Sequence, residues 1–217
     1  MKHGTSYHLL SATLVAAGLA LATPALAAGY CSAGTATEGI AAGNVTFEGA
    51  SANDCYGVVT GNINGNNGAA FLNGLNWGTG WTYLDATNSP GATFMGLEFK
   101  VAATPGAAGS WTLVAVDTNG GAALNLPASL DFAVALKAGN EYAVWGFDNV
   151  VVDGSDNGFF SIVLTNKGGK NPDLSHLIVF GRESGGGSIS AVPEARTYAM
   201  LLAGLGLIGF AARRKLG

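Results

Sequence analysis

Leu130-Asp131-Phe132-Ala133-Val134-Ala135-Leu136-Lys137 alternates large apolar side chains at its even positions with small or charged ones at its odd positions. Successive side chains of a strand point to opposite faces, so this period of two predicts a half-buried β-strand with its even residues on a core. Met95-Gly96-Leu97-Glu98-Phe99-Lys100-Val101 repeats the pattern on its odd positions. After the first stretch come Ala138-Gly139-Asn140 and a second apolar run, Glu141–Phe147. Gly and Asn tolerate the left-handed backbone of tight turns, so Leu130–Phe147 reads as a β-hairpin. Further strands are expected at Asn44–Glu48, Tyr56–Thr60, Ala69–Leu72, Trp81–Asp85, Trp111–Val116, Phe159–Thr165 and Leu174–Phe180. Turn residues separate them: Asn64-Gly65, Ser89-Pro90-Gly91, Thr104-Pro105-Gly106, Asn119-Gly120-Gly121, Asp153-Gly154 and Gly168-Gly169. No stretch reads as an amphipathic helix. Short strands at this spacing predict an all-β fold, an antiparallel β-sandwich of jelly-roll-like type.

The ends have a different composition. Lys2 precedes the apolar stretch Leu9–Ala22, Pro24 breaks it, and Ala25-Leu26-Ala27 is a small-residue cleavage site. Residues 1–27 therefore read as a signal peptide, which brings in the Sec translocon and signal peptidase. At the other end, Thr197–Ala212 is apolar on every face and stops at Arg213-Arg214-Lys215. As a helix it would extend about 24 Å, and snorkelling basic residues fit it to the ~30 Å hydrocarbon core as a transmembrane helix, 197–212. Basic residues stay cytoplasmic, so the bulk of the chain would lie outside the inner membrane. Gly204-Leu205-Gly206-Leu207-Ile208-Gly209 matches a dinucleotide-binding glycine pattern, but it lies inside the apolar run with no flanking strands and no acidic ribose partner. Residues 28–183 form the exported domain, and 184–191, rich in Gly and Ser, a flexible linker.

Between the ends, residues 28–192 hold five Lys/Arg and 13 Asp/Glu, a formal charge of −8 that the whole-chain value of −4 conceals. So acidic a domain repels phosphates, which excludes nucleic acid as a partner. The two cysteines, Cys31 and Cys55, lie near the start of the exported domain. Outside the cytoplasm such a pair is expected to form a disulfide; the closed loop of about 25 residues corresponds to roughly 3 kcal/mol of stabilisation.

Val192-Pro193-Glu194, the apolar segment and Arg213-Arg214-Lys215 together resemble the PEP-CTERM sorting signal of Gram-negative bacteria. Ala195 stands where that family has its second proline. The resemblance covers residues 192–217. It implies processing by an exosortase, transient anchoring in the inner membrane, delivery to the cell surface or beyond, and exopolysaccharide as the material the protein meets. Leu136-Lys137-Ala138-Gly139-Asn140-Glu141-Tyr142 and Leu174-Ser175-His176-Leu177 are also similar to a pattern among short exported proteins of this kind. That likeness carries no activity with it.

Catalytic constellations are hard to find. His176 is the sole histidine of the exported domain. Its neighbour Ser175 would point to the opposite strand face, no nucleophile elbow is present, and the simpler reading is a strand histidine at a sandwich edge. Asp153-Gly154-Ser155-Asp156 crowds oxygens into a turn, so Asp153 and Asp156 are candidate ligands for Ca²⁺, the one cofactor these residues would suit. Asn62-Ile63-Asn64-Gly65-Asn66-Asn67-Gly68 has similar oxygen spacing without charge. Trp77 and Trp81, in a Gly-rich stretch, are the expected exposed aromatics on which a pyranose would stack, whereas Trp111 and Trp145 are expected in the core. The expectation is a non-enzymatic exported surface or matrix protein. A carbohydrate-binding module using Trp77 and Trp81, and a secreted hydrolase using Asp153 or Asp156 as its acid, are the alternatives.

Overall fold

The computed structural model describes residues 30–31, 39–118, 120, 125–164 and 170–185. Two antiparallel sheets face each other. The strands are β1 (Val45–Phe47), β2 (Ala50–Ser51), β3 (Asp54–Thr60), β4 (Thr82–Ala86), β5 (Thr93–Phe94), β6 (Leu97–Ala103), β7 (Ala108–Asp117), β8 (Ala128–Ala138), β9 (Glu141–Val152), β10 (Ser155–Ser161) and β11 (Leu174–Glu183). One sheet has the order β2-β1-β10-β7-β6-β5 and the other β3-β9-β8-β11-β4. The β8–β9 hairpin forms as expected, turning at Gly139-Asn140 with Gly139 at φ 56°. Asp85 of β4 accepts the Val101 N–H of β6 at 2.5 Å, joining the two sheets at one edge.

The alternation in Leu97, Phe99 and Val101 meets that of Leu130, Phe132, Val134 and Leu136 across the inter-sheet core. Phe132 and Phe147 stack there at 4.6 Å, and Phe47 meets Phe132 edge-on at 4.7 Å. Trp111 and Trp145 are buried in this layer, as expected.

Three expectations need correction. The stretch 69–72 is not a strand: Gly65–Asn73 is an α-helix, α1. Asn64 starts it by accepting the N–H groups of Asn66 and Asn67, while Asn67 Oδ1 accepts the Asn64 N–H at 2.7 Å. This reciprocal cap satisfies the donors that a helix start leaves orphaned. Asn64-Gly65 is thus a helix start rather than a hairpin turn. Second, β8 is buried on both faces. Ala133 and Ala135 lie under a second apolar cluster with Leu72 of α1, Trp77, Trp81 and Phe180. Gly68 makes the close approach possible, since a Cβ there would lie 2.3 Å from Phe180 Cζ. Third, the strand expected at 159–165 lies earlier, at β10. Its inward positions include Asp156 and Gly158, where a Cβ would strike the Trp111 indole at 2.2 Å, so alternation there is hidden. The result is three layers: sheet, sheet, and a helix with its following loop.

Candidate functional site

The N-terminus of α1, β4, the turn after β4 and the start of β11 surround a hollow of about 410 Å³. Ile63, Ala86 and Ile178 are buried and give it an apolar floor. Asn62, Asn66, Asn88 and Ser89 are exposed and supply amide and hydroxyl groups. Tyr83 and His176, both half-buried, complete the wall.

Tyr83 and His176 are held in place. The Tyr83 hydroxyl donates to the Pro90 carbonyl at 3.0 Å, and its ring meets Phe180 edge-on at 6.3 Å. Burial raises the Tyr83 phenol above its ordinary pKa, so it stays neutral near pH 7. Gly65 lies flat on this ring; a Cβ would come within 2.8 Å of Tyr83 Cδ2. His176 Nε2 lies 3.1 Å from the Ile63 carbonyl. A carbonyl only accepts, so Nε2 is the donor of this bond, and Nδ1 is the ring's remaining polar atom. No Asp, Glu, Lys or Arg lines the hollow. Its amides, hydroxyls and imidazole are groups that can bind a neutral, hydroxyl-rich molecule.

Trp77 and Trp81 do not form an exposed platform. They are 1% and 3% exposed, inside the layer beneath α1. Trp77 Nε1 donates to Asp54 Oδ2 at 3.0 Å, and Trp81 Nε1 to the Gly78 carbonyl at 3.2 Å. Arg182 stacks over the Trp81 ring, 4.6 Å from its centroid, and pairs with the buried Asp131 at 2.9 Å. Its Nη1 also donates to the Trp77 carbonyl, and Asp131 Oδ1 accepts the Asn149 N–H at 2.8 Å. The glycines that suggested exposure do the reverse. Gly78 and Gly80, at φ 82° and 92°, turn the backbone in the left-handed region around these two buried indoles, and the Gly78 carbonyl accepts from Trp81.

Asp153 is exposed in the turn between β9 and β10, whereas Asp156 is 4% exposed with its Oδ2 lacking a hydrogen-bond partner. Burial, then the negative charges of Asp153 and Glu48, push the Asp156 carboxyl up to about 6. Among the described residues no group of three His, Cys, Asp or Glu side chains is placed to hold a metal ion. The Ca²⁺ reading is left with two carboxyls, one of which faces the protein interior.

Cys31 and Cys55 are joined, with Cα atoms 4.9 Å apart. Ser175 is exposed while His176 is turned into the hollow, as opposite strand faces require. The hollow itself was missed by sequence reading. Its one local signal was the asparagine cluster 62–67, which caps α1 and lines the rim.

The signal peptide 1–27, most of the linker 184–191, the motif residues Val192, Pro193, Glu194, Arg213, Arg214 and Lys215, and the helix expected at 197–212 lie outside the described residues. Among the described residues no helix is long and apolar enough to cross a membrane. Neither a curated protein nor a solved structure matches the chain. Residues 191–215, however, match the family model of the PEP-CTERM protein-sorting motif, so this chain carries the signal by which an exosortase substrate is sorted.

Proposed function

We propose that this is a non-enzymatic surface or extracellular-matrix protein, exported through the Sec translocon, trimmed by signal peptidase and handed to an exosortase. The observation that carries the reading is the sorting motif at residues 191–215, placed behind a Gly/Ser-rich linker and a β-sandwich domain. The linker gives a membrane enzyme access to Pro193-Glu194 without disturbing the sandwich. A disulfide between Cys31 and Cys55 suits an oxidising compartment outside the cytoplasm. Exopolysaccharide is the material such a protein meets on the outer surface, and biofilm its setting.

The test is fractionation and intact mass of the protein from its own host, wild type against Glu194→Ala. The reading expects a mature wild-type form cut near Pro193–Arg196 and an uncut, inner-membrane precursor for the variant. Identical processing of the two would remove the exosortase from the account.

A second reading, carbohydrate binding, is favoured by the uncharged, amide-rimmed hollow beside Tyr83. It shifts the site from Trp77 and Trp81, whose burial closes them off, to the mouth of α1.

A further inference from the structure

We propose that the hollow between the start of α1 and β11 is a binding site for one or two residues of a neutral saccharide, held by Asn62, Asn66, Asn88, Ser89, Tyr83 and His176. This deepens the carbohydrate reading by assigning a site and a ligand class.

Several observations converge. The volume of about 410 Å³ lies in the range of small-molecule sites and admits a mono- or disaccharide. The lining alternates an apolar floor, Ile63, Ala86 and Ile178, with amides and a hydroxyl at the rim. A pyranose has the same division, with CH groups on one face and hydroxyls around its edge. Side-chain amides both donate and accept, as sugar hydroxyls do. His176 adds the ring atom Nδ1, because Nε2 is committed to the Ile63 carbonyl.

The absence of Asp, Glu, Lys and Arg from the lining sets the charge of the ligand. An anionic sugar would enter without a cationic partner, into a domain of net charge −8 over residues 28–192. At the start of α1 the N–H groups of Asn66 and Asn67 are already taken by Asn64 Oδ1 and do not offset an incoming negative charge. Tyr83, anchored on Pro90 and pressed by Gly65, is held in place before any ligand arrives, which lowers the ordering cost of binding.

The experiment uses the full chain, carrying ¹³C-labelled histidine, in a detergent without a sugar headgroup. Neutral disaccharides of glucose, galactose, mannose and N-acetylglucosamine are titrated, with glucuronic acid and glucose 6-phosphate as anionic probes. The His176 ring signal should shift saturably with at least one neutral sugar. Asn66→Ala and Asn88→Ala, both at exposed positions, should each weaken that binding about tenfold or more while thermal unfolding stays unchanged. Asp153→Ala should leave it unaltered. No saturable shift with any neutral sugar up to about 10 mM, a preference for the anionic probes, or binding indifferent to both Asn variants would each overturn the proposal. Processing at the C-terminus plays no part in this assay, so it can fail while the sorting reading stands, and the converse.

Discussion

The two faces of the sheet β3-β9-β8-β11-β4 are built by different rules. Its inner face meets the second sheet through Leu130, Phe132, Val134 and Leu136 in a continuous apolar cluster. Its outer face carries Asp131, Ala133, Ala135 and Lys137 on the same strand, covered by α1, Trp77 and Trp81. Apolar packing is non-directional and needs little more than the right volume. The outer layer is directional: the Arg182–Asp131 pair, the Trp77–Asp54 hydrogen bond and the cap of α1 each demand particular atoms. The inner face holds the domain together, whereas the outer face fixes the loop and helix that shape the hollow. Function on this sandwich is therefore sought on the covered side of the sheet, at the edge where the cover begins.

The contrast can be broken most severely at Arg182. Arg182→Ala leaves Asp131 buried without its guanidinium and should cost about 3–5 kcal/mol in urea unfolding. The double variant Arg182→Met with Asp131→Leu should recover part of that loss, because it removes both desolvated charges but also the bonds to the Trp77 carbonyl and the Asn149 N–H. If the single variant proves as mild as an inner-face volume change, the directional account of the outer face fails.

The disulfide joins the two regimes. Cys55 lies in the inner cluster, while Tyr30, beside Cys31, packs against Tyr56 and Trp77 on the outer side. Cys31→Ser with Cys55→Ser should lower stability by roughly 3 kcal/mol. Loss of the Tyr30 near-ultraviolet dichroism alongside it would show that the bridge holds the outer layer's edge.

Asp156 is the polar exception on the inward side of the opposite sheet. Its folded pKa of about 6 stands above the ordinary 3.8, so the folded state binds the extra proton between those values. Stability from this group is complete below about pH 4 and falls as pH rises through about 6. Asp156→Asn should therefore raise stability at pH 7.5 by up to about 3 kcal/mol and change it little near pH 4. A variant with the same effect at both pH values would show that ionisation is not the cost. Smallest of all, Asn64→Ala should destabilise by about 1 kcal/mol, by uncapping α1. Amide exchange should then accelerate within Gly65–Asn73 and not in the inner strands.

The inner face was legible in the sequence because its pattern is periodic. Leu97, Phe99 and Val101, and Leu130 through Leu136, announce both strand and core face by alternation alone. The outer layer was not. Helix α1 contains Gly65 and Gly68, each costing about 1 kcal/mol against Ala in a helix, so local propensity opposes it. What carries it is the Asn64–Asn67 cap and the fit of Gly68 against Phe180, a contact with a strand far along the chain. Trp77 and Trp81 were misplaced for a related reason: glycine marks freedom to turn, and here the turn goes inward. The hollow was hidden because its wall is drawn from separate stretches, Asn62–Asn66, then Tyr83, Ala86, Asn88 and Ser89, then His176 and Ile178, and none of these lining residues is Asp, Glu, Lys or Arg. The sorting motif needed no fold, being read as a linear signal, and residues 191–215 match it directly.

The central claim is that an oxidised β-sandwich is delivered outward by its C-terminal signal. The most direct measurement is the intact mass of the chain recovered from its host's surface fraction, taken before and after thiol reduction and alkylation. The account predicts one species that starts near Ala28, lacks Arg213–Lys215 and gains two alkyl groups only after reduction. A chain that retains Arg213–Lys215 and is found solely in the inner membrane, or one whose cysteines alkylate without reduction, would contradict it.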